Sequence, residues 1–198
     1  MQWFKEMSDE ELTNKYNSAY LEIIMRYRDY IEEKETLYVA ELPKLITPND
    51  EAVLSAVKNI TNMFMSYRPE EDFYAAAKEA HSYVKNKIRT ISLPVQFWPR
   101  PSQTIGLEAG DVFDKAVLLC SMMIAMGNIS TRVITAVKDS EQKFAVYCEC
   151  KDKLLFFEVE KEMCEFQNRE EMLEKLGVGK DAEMTAYEFN DKMYNNLA

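Results

Sequence analysis

An α+β fold, one buried helix set against an antiparallel sheet, is what the amino-acid order predicts for this 198-residue chain. Three observations lead there. Helical patterns fill the residues before 90, a run that is apolar nearly all round occupies 112–126, and three strand-like segments follow it in succession. Helices followed by a block of neighbouring strands segregate into layers rather than alternate, which is the α+β arrangement.

In chain order, Ser8-Asp9-Glu10-Glu11 has the form of a capping box, a hydroxyl and a carboxylate that satisfy two free amides of a first turn. Leu12, Tyr16, Tyr20, Ile23, Ile24, Tyr27, Tyr30 and Ile31 then recur at helical steps, and that helix must end before Pro43. Thr47-Pro48-Asn49-Asp50 marks a second start, with proline at the first helical position, ahead of Val53, Leu54, Val57, Ile60, Met63 and Phe64. Pro69 opens a third helix that carries Phe73, Ala76, Ala77, Ala80, Tyr83, Val84 and Ile88. From Leu93 to Ala109 the periodicity stops, and Pro94, Pro99 and Pro101 around Phe97 and Trp98 describe an ordered loop packed by aromatics. Asp111 caps the central helix, which ends at Gly127. Because Ala116 to Met126 is apolar on almost every side, this helix belongs at the centre of the fold.

Thr131–Val137, Lys143–Cys150 and Lys153–Glu160 read as strands, the last two joined at Lys151-Asp152 by a turn without the favoured glycine. Asn168 caps a short helix stopped by Gly177, and the Tyr-bearing segment from Met184 is grouped with it as C-terminal helices. The domain reading is a helical N-terminal extension over 1–90 packed on a core over 91–198, as one compact unit.

Composition narrows the function. With 24 Lys+Arg against 34 Asp+Glu the net charge is −10, which repels phosphate backbones and argues against nucleic acid as a partner. No apolar run reaches the ~18 residues of a membrane span, and Met1-Gln2-Trp3-Phe4-Lys5-Glu6 lacks the pattern of a signal peptide. Cys120, Cys148, Cys150 and Cys164 are too few for a secreted disulfide framework, so a cytoplasmic protein with reduced thiols is expected. A single histidine, His81, leaves no multi-His metal site, and no cofactor or metal is expected.

The stretch from Trp98 to Glu160 resembles the core of the transglutaminase-like superfamily, whose members have the papain-type fold. The residues that carry the likeness are Trp98-Pro99-Arg100-Pro101-Ser102-Gln103-Thr104, then Ala109-Gly110-Asp111-Val112-Phe113-Asp114, then Gly127 and Ser130-Thr131-Arg132-Val133. In the family a Gly-Asp-Cys-x-Asp motif puts the nucleophilic cysteine at a helix N-terminus, where the dipole favours its thiolate. A histidine on a following strand takes the proton, and an aspartate on the next strand orients it. The resemblance places the nucleophile position on Val112 and the base position on Phe144. It places the orienting acid on Glu158 or, with a two-residue slip, Glu160, both read as having inward parity. Nucleophile and base are absent together, so the resemblance implies a catalytically inactive member, a protein- or peptide-binding or scaffolding module. The alternative is a hydrolase or acyl transferase with a non-standard nucleophile in the same cleft.

Other residues have plainer readings. Cys148 and Cys150, on one strand face, and Cys120, in the central helix, behave as small hydrophobes. His81 is read as solvated or capping. Asp111 and Asp114 are candidates for binding, with an N-cap as the simpler role for Asp111. Glu158 and Glu160 are expected in solvent or in ion pairs. Phe97 and Trp98 form either a peptide-docking wall or a lid over the core. Tyr16, Tyr20, Tyr27 and Tyr30 suit core packing and equally a dimer interface through the first helix.

Overall fold

A computed structural model describes residues 25–26, 39–91, 98–138, 141–178 and 185–197. The chain divides into two units, Met1–Leu37 with Leu93–Trp98, and Tyr38–Ser92 with Pro99–Ala198. Every element labelled below belongs to the second unit. Of the first expected helix only Met25 and Arg26 are described, so the capping box at Ser8, the tyrosines at 16, 20, 27 and 30 and the dimer reading built on them lie outside the described residues, as does Phe97.

A short 3₁₀ helix, Val39–Leu45, leads into α1 (Glu51–Thr61) and α2 (Pro69–Lys87). The start of α1 corrects the sequence reading. Asp50 rather than Thr47 is the cap, its carboxylate accepting from the Ala52 amide, and Pro48 stays outside the helix. Asp50 outcompetes because its shorter reach to the first-turn amides follows directly from its place before Glu51. Pro69 does open α2, as expected.

The aromatic loop contains a helix that the proline count concealed: α3, Pro101–Leu107, with Pro101 in its first turn. Two short parallel strands, β1 (Arg89–Thr90) and β2 (Ala109–Gly110), flank it. Then α4, Val112–Ala125, runs through the interior. Every residue from Phe113 to Met123 is buried, and α1, α2, α3 and the sheet all pack on it. Full burial of each of its Leu, Met and Val side chains is worth roughly 1.5–3 kcal/mol, enough to make this helix the organising element. Gly127 ends it at φ 102°, and a Cβ there would meet Pro69 Cγ at 3.0 Å, so the position demands glycine twice over.

The sheet has six strands in the order β6-β5-β4-β3-β7-β8, all neighbours antiparallel. Its strands are β3 (Arg132–Lys138), β4 (Glu141–Cys150), β5 (Lys153–Phe157), β6 (Cys164–Phe166), β7 (Thr185–Phe189) and β8 (Tyr194–Asn196). One face, with Val133, Phe144, Val146, Phe157 and Phe189, turns to α4, and Phe113 of α4 meets the rings of Phe144 and Phe189. The other face, with Ile134, Ala136, Ala145, Tyr147, Phe156 and Ala186, is covered by Met172, Leu176 and Val178 from α5 (Arg169–Leu176) and the residues after it. The result is helices, sheet and helix in three layers.

Two further expectations need correction. The third strand stops at Phe157 instead of reaching Glu160, because the chain turns at Glu158, whose carbonyl accepts from the Lys161 amide. The tail holds one helix, α5, while the Tyr-bearing segment supplies β7 and β8; Tyr187 and Phe189 alternate with buried Ala186 and Glu188, a period of two that suits a strand. The β4–β5 hairpin forms without glycine because Lys151 itself takes the left-handed conformation, φ 56°. The capped helix at Asn168, stopped by Gly177 at φ 81°, is as expected.

A buried polar knot holds the sheet to α5. The side chain of Glu188 on β7 is 1% exposed, yet it accepts from Arg169 at 2.7 Å, from Asn195 at 3.2 Å and from the Tyr147 hydroxyl, with Arg132 at 3.7 Å. Burial alone would raise its carboxyl; the hydrogen bonds from Tyr147, Asn195 and Arg169 overcome that and hold it below the usual value. The unfolded chain therefore binds more protons between the two values, and this stabilisation is present above the ordinary carboxylate range and lost as pH falls through the depressed one. Glu188→Gln should lower unfolding free energy by about 3 kcal/mol or somewhat less, since both guanidinium groups reach water. Urea titrations across pH should show the acid-side loss of stability shallower in the variant than in the parent; an unchanged midpoint would contradict the knot's role.

Candidate functional site

The positions that the resemblance singles out gather at the N-terminus of α4. Asp111 caps it, its carboxylate accepting from the Asp114 amide at 2.8 Å, while Asp114 accepts from the Asp111 amide at 2.9 Å, a reciprocal capping box. Both carboxylates are thus engaged by backbone amides. Asp111 keeps solvent contact as a residue, whereas Asp114 is buried at 4% exposure. Burial raises the Asp111 carboxyl, with the hydrogen bonds partly offsetting it. The Asp114 carboxyl is pushed well up, first by burial and then by the charge of Asp111. Gly110 lets the two meet: a Cβ there would lie 2.9 Å from that of Asp114.

Val112 occupies the first helical position, half-buried, where a thiol would take advantage of the helix dipole. Phe144, on β4 opposite Thr135, is also half-buried, and its ring packs edge-on against Phe113 with centroids 5.3 Å apart. An aromatic contact stands at the position that the resemblance assigned to a base.

The two candidate acids go separate ways. Strand register pairs Val146 with Phe157, so the face of Phe144 continues through Phe157 towards Val159, out of phase with both Glu158 and Glu160. The inward parity read from sequence is therefore corrected: both residues lie past the end of β5. Glu158 pairs with Lys161 at the surface. Glu160 instead reaches α4, where it accepts from Lys115 and from the hydroxyl of Thr90 on β1. Partial burial works to raise the Glu160 carboxyl, but the bonds from Lys115 and Thr90 prevail and hold it below its usual value. Of the two expected roles, solvent or an ion pair, both acids take the ion pair.

Lys115 was not singled out in the sequence. Its side chain is 1% exposed, within the first turns of the central helix, with Nζ 3.1 Å from Thr90 Oγ1 and in an ion pair with Glu160. The signal was its place at the head of an otherwise apolar run: a helix covered on all sides must bury its lysine too, and a buried ammonium requires a partner.

His81 corrects another reading. It lies on the buried stripe of α2 with Phe73, Ala77, Ala80 and Val84, 6% exposed, its Nε2 3.2 Å from the Glu158 carbonyl and its ring 5.4 Å from that of Phe157. Burial lowers its pKa. The thiols are shielded as well. Cys120 and Cys148 are buried and burial pushes both well up; Cys150 is half-buried and raised by the same cause. Trp98 belongs to the first unit.

The architecture has a counterpart among solved structures. Legionella pneumophila LapG superposes with a TM-score of 0.52 at 14% identity, over 81% of this chain and 88% of that one. An EGTA-treated form of the same protein gives 0.51 at 15% identity, over 81% and 86%. This likeness shows a transglutaminase-like fold, and its span reaches in front of residue 91, beyond the segment whose motifs carry the resemblance. No family model matches the chain, and no curated protein matches it in sequence.

The capping pair gives a test. A carboxyl raised on folding makes the native state bind more protons, so its contribution is greatest below the ordinary carboxylate range and declines as pH rises towards the elevated value. Asp114→Asn keeps an oxygen for the Asp111 amide and removes the buried titration. Stability of the variant, from denaturant midpoints, should fall less than that of the parent as pH rises from the acid side to neutrality; parallel curves would count against the raised carboxyl.

Proposed function

We propose that the chain is a transglutaminase-like pseudoenzyme that has kept the fold as a protein- or peptide-binding module. The observation that carries this is the pair of hydrocarbon side chains at the two reacting positions, Val112 at the helix start and Phe144 packed on Phe113. Acyl transfer on this scaffold needs a thiolate at a helix N-terminus and an imidazole within hydrogen-bond reach. Here the histidine is turned into the α2–β5 packing and bonded to a carbonyl, and burial works against ionising Cys120, Cys148 and Cys150. Two groups that would each cost desolvation are replaced by apolar side chains, and the Phe144 ring packs on that of Phe113, which favours the folded state.

The alternative, a hydrolase or acyl transferase with another nucleophile, would draw on Thr90, whose hydroxyl lies between Lys115 and Glu160. Glu160 is a poor base for that task, since its partners hold it ionised and below its usual pKa.

Incubation with glutamine-containing peptides and amine donors should give neither deamidation nor transamidation by mass spectrometry. Val112→Cys should yield a thiol that alkylates readily but supports no turnover, because Phe144 offers no base. Turnover by the parent chain that is abolished by alkylation, or by Thr90→Val, would overturn the proposal.

A further inference from the structure

At the other end of α4, roughly 20 Å from Val112 by helix rise, lie two adjoining clefts of about 400 and 370 Å³. Cys150 and Lys151 of the β4–β5 turn line both. Phe73 and Ile129 give the first cleft its apolar wall, and Ile129 is 73% exposed, a large aliphatic side chain presented to water beside a concavity. The frame is fixed: Asn128 Nδ2 donates to the Glu149 carbonyl at 2.8 Å, and the Glu149 amide donates to Ser130 Oγ at 2.9 Å.

The charge of this region is mixed with an acidic excess. Glu70 and Glu149 border the first cleft, and neither forms an ion pair among the described residues. In the second cleft Glu165 is matched by Lys153 at 2.6 Å, leaving Asp152 against Lys151. Four carboxylates therefore face two ammonium groups, and the C-terminus of α4 adds the negative end of its dipole.

We propose that these clefts form a docking groove for a basic, apolar-anchored peptide segment of a partner protein, Lys or Arg side chains meeting Glu70 and Glu149 while an apolar residue seats against Phe73 and Ile129. The inference rests on the binding-module reading and gives that module its surface, away from the vestigial catalytic positions. A rigid concavity costs little to order on binding, and unpaired carboxylates at its rim select for cations and speed encounter.

The test uses a dye-labelled peptide of alternating lysine and leucine, read by fluorescence anisotropy on the full chain, with a glutamate–leucine and a lysine–serine peptide as comparisons. The lysine–leucine peptide should bind best, and Glu70→Lys with Glu149→Lys should weaken it at least about tenfold, while Glu174→Lys on α5 leaves it unchanged. Bound peptide should also slow alkylation of Cys150 in the parent chain severalfold, located by peptide mapping, which needs no variant to fold. Absence of binding, equal binding of the glutamate–leucine peptide, equal loss in Glu174→Lys, or an unprotected Cys150 would each overturn the groove. None of these results bears on turnover, so the groove and the loss of catalysis fail separately.

Discussion

A helix that is covered on every side imposes its demands on everything around it. With the residues from Phe113 to Met123 all buried, α4 leaves no face to solvent, so α1, α2, α3 and one side of the sheet are each required to close the core. The cost falls on its polar residues. Ser121 resolves its hydroxyl by donating to the Val117 carbonyl and accepting from the Thr47 amide, which ties the chain before α1 to the core. Lys115 needs a carboxylate brought from beyond β5, and Glu160 supplies it. The turn at Glu158 that carries Glu160 there also provides the carbonyl that faces His81. Burial of one helix thus dictates where the third strand must stop.

The same constraint explains why the start of α4 accommodates apolar side chains without loss of the fold. Val112 and Phe144 stand at the margin of the core, half-buried, and the Phe144 ring packs on that of Phe113. The helix start keeps its cap through Asp111 and Asp114, so the local backbone does not depend on the residue between them. The amides of the first turn are satisfied by carboxylates, so the cap is set independently of the side chain at position 112.

Much of this was legible in the residue order. Asp111, Gly127, Asn168 and Gly177 bracket two helices by ordinary capping chemistry, and the run from Ala116 to Met126 announced its own burial. Three strands could be read from alternation, though not where the third one stops. Other features needed tertiary information. Pro99 and Pro101 mask α3 because proline signals a loop and a first helical turn equally well. Strand β6 has three residues, too short for a period to show, and β7 mixes buried Glu188 with apolar neighbours, so its polarity hides its burial. The meeting of Lys115 with Glu160, 45 residues apart, depends on a turn that no local pattern encodes. The clefts at the far end of α4 arise from four separate segments and have no signature in any one of them.

Both margins of the sheet are three-residue strands, β6 and β8. An approaching chain would find only a rung or two of unpaired backbone on either side, with charged Glu165 in the middle of one margin. Self-association by strand addition, the usual hazard of an open six-stranded sheet, is thereby starved of a template. The short margins leave the pairing that would begin a cross-β stack very little backbone to work with.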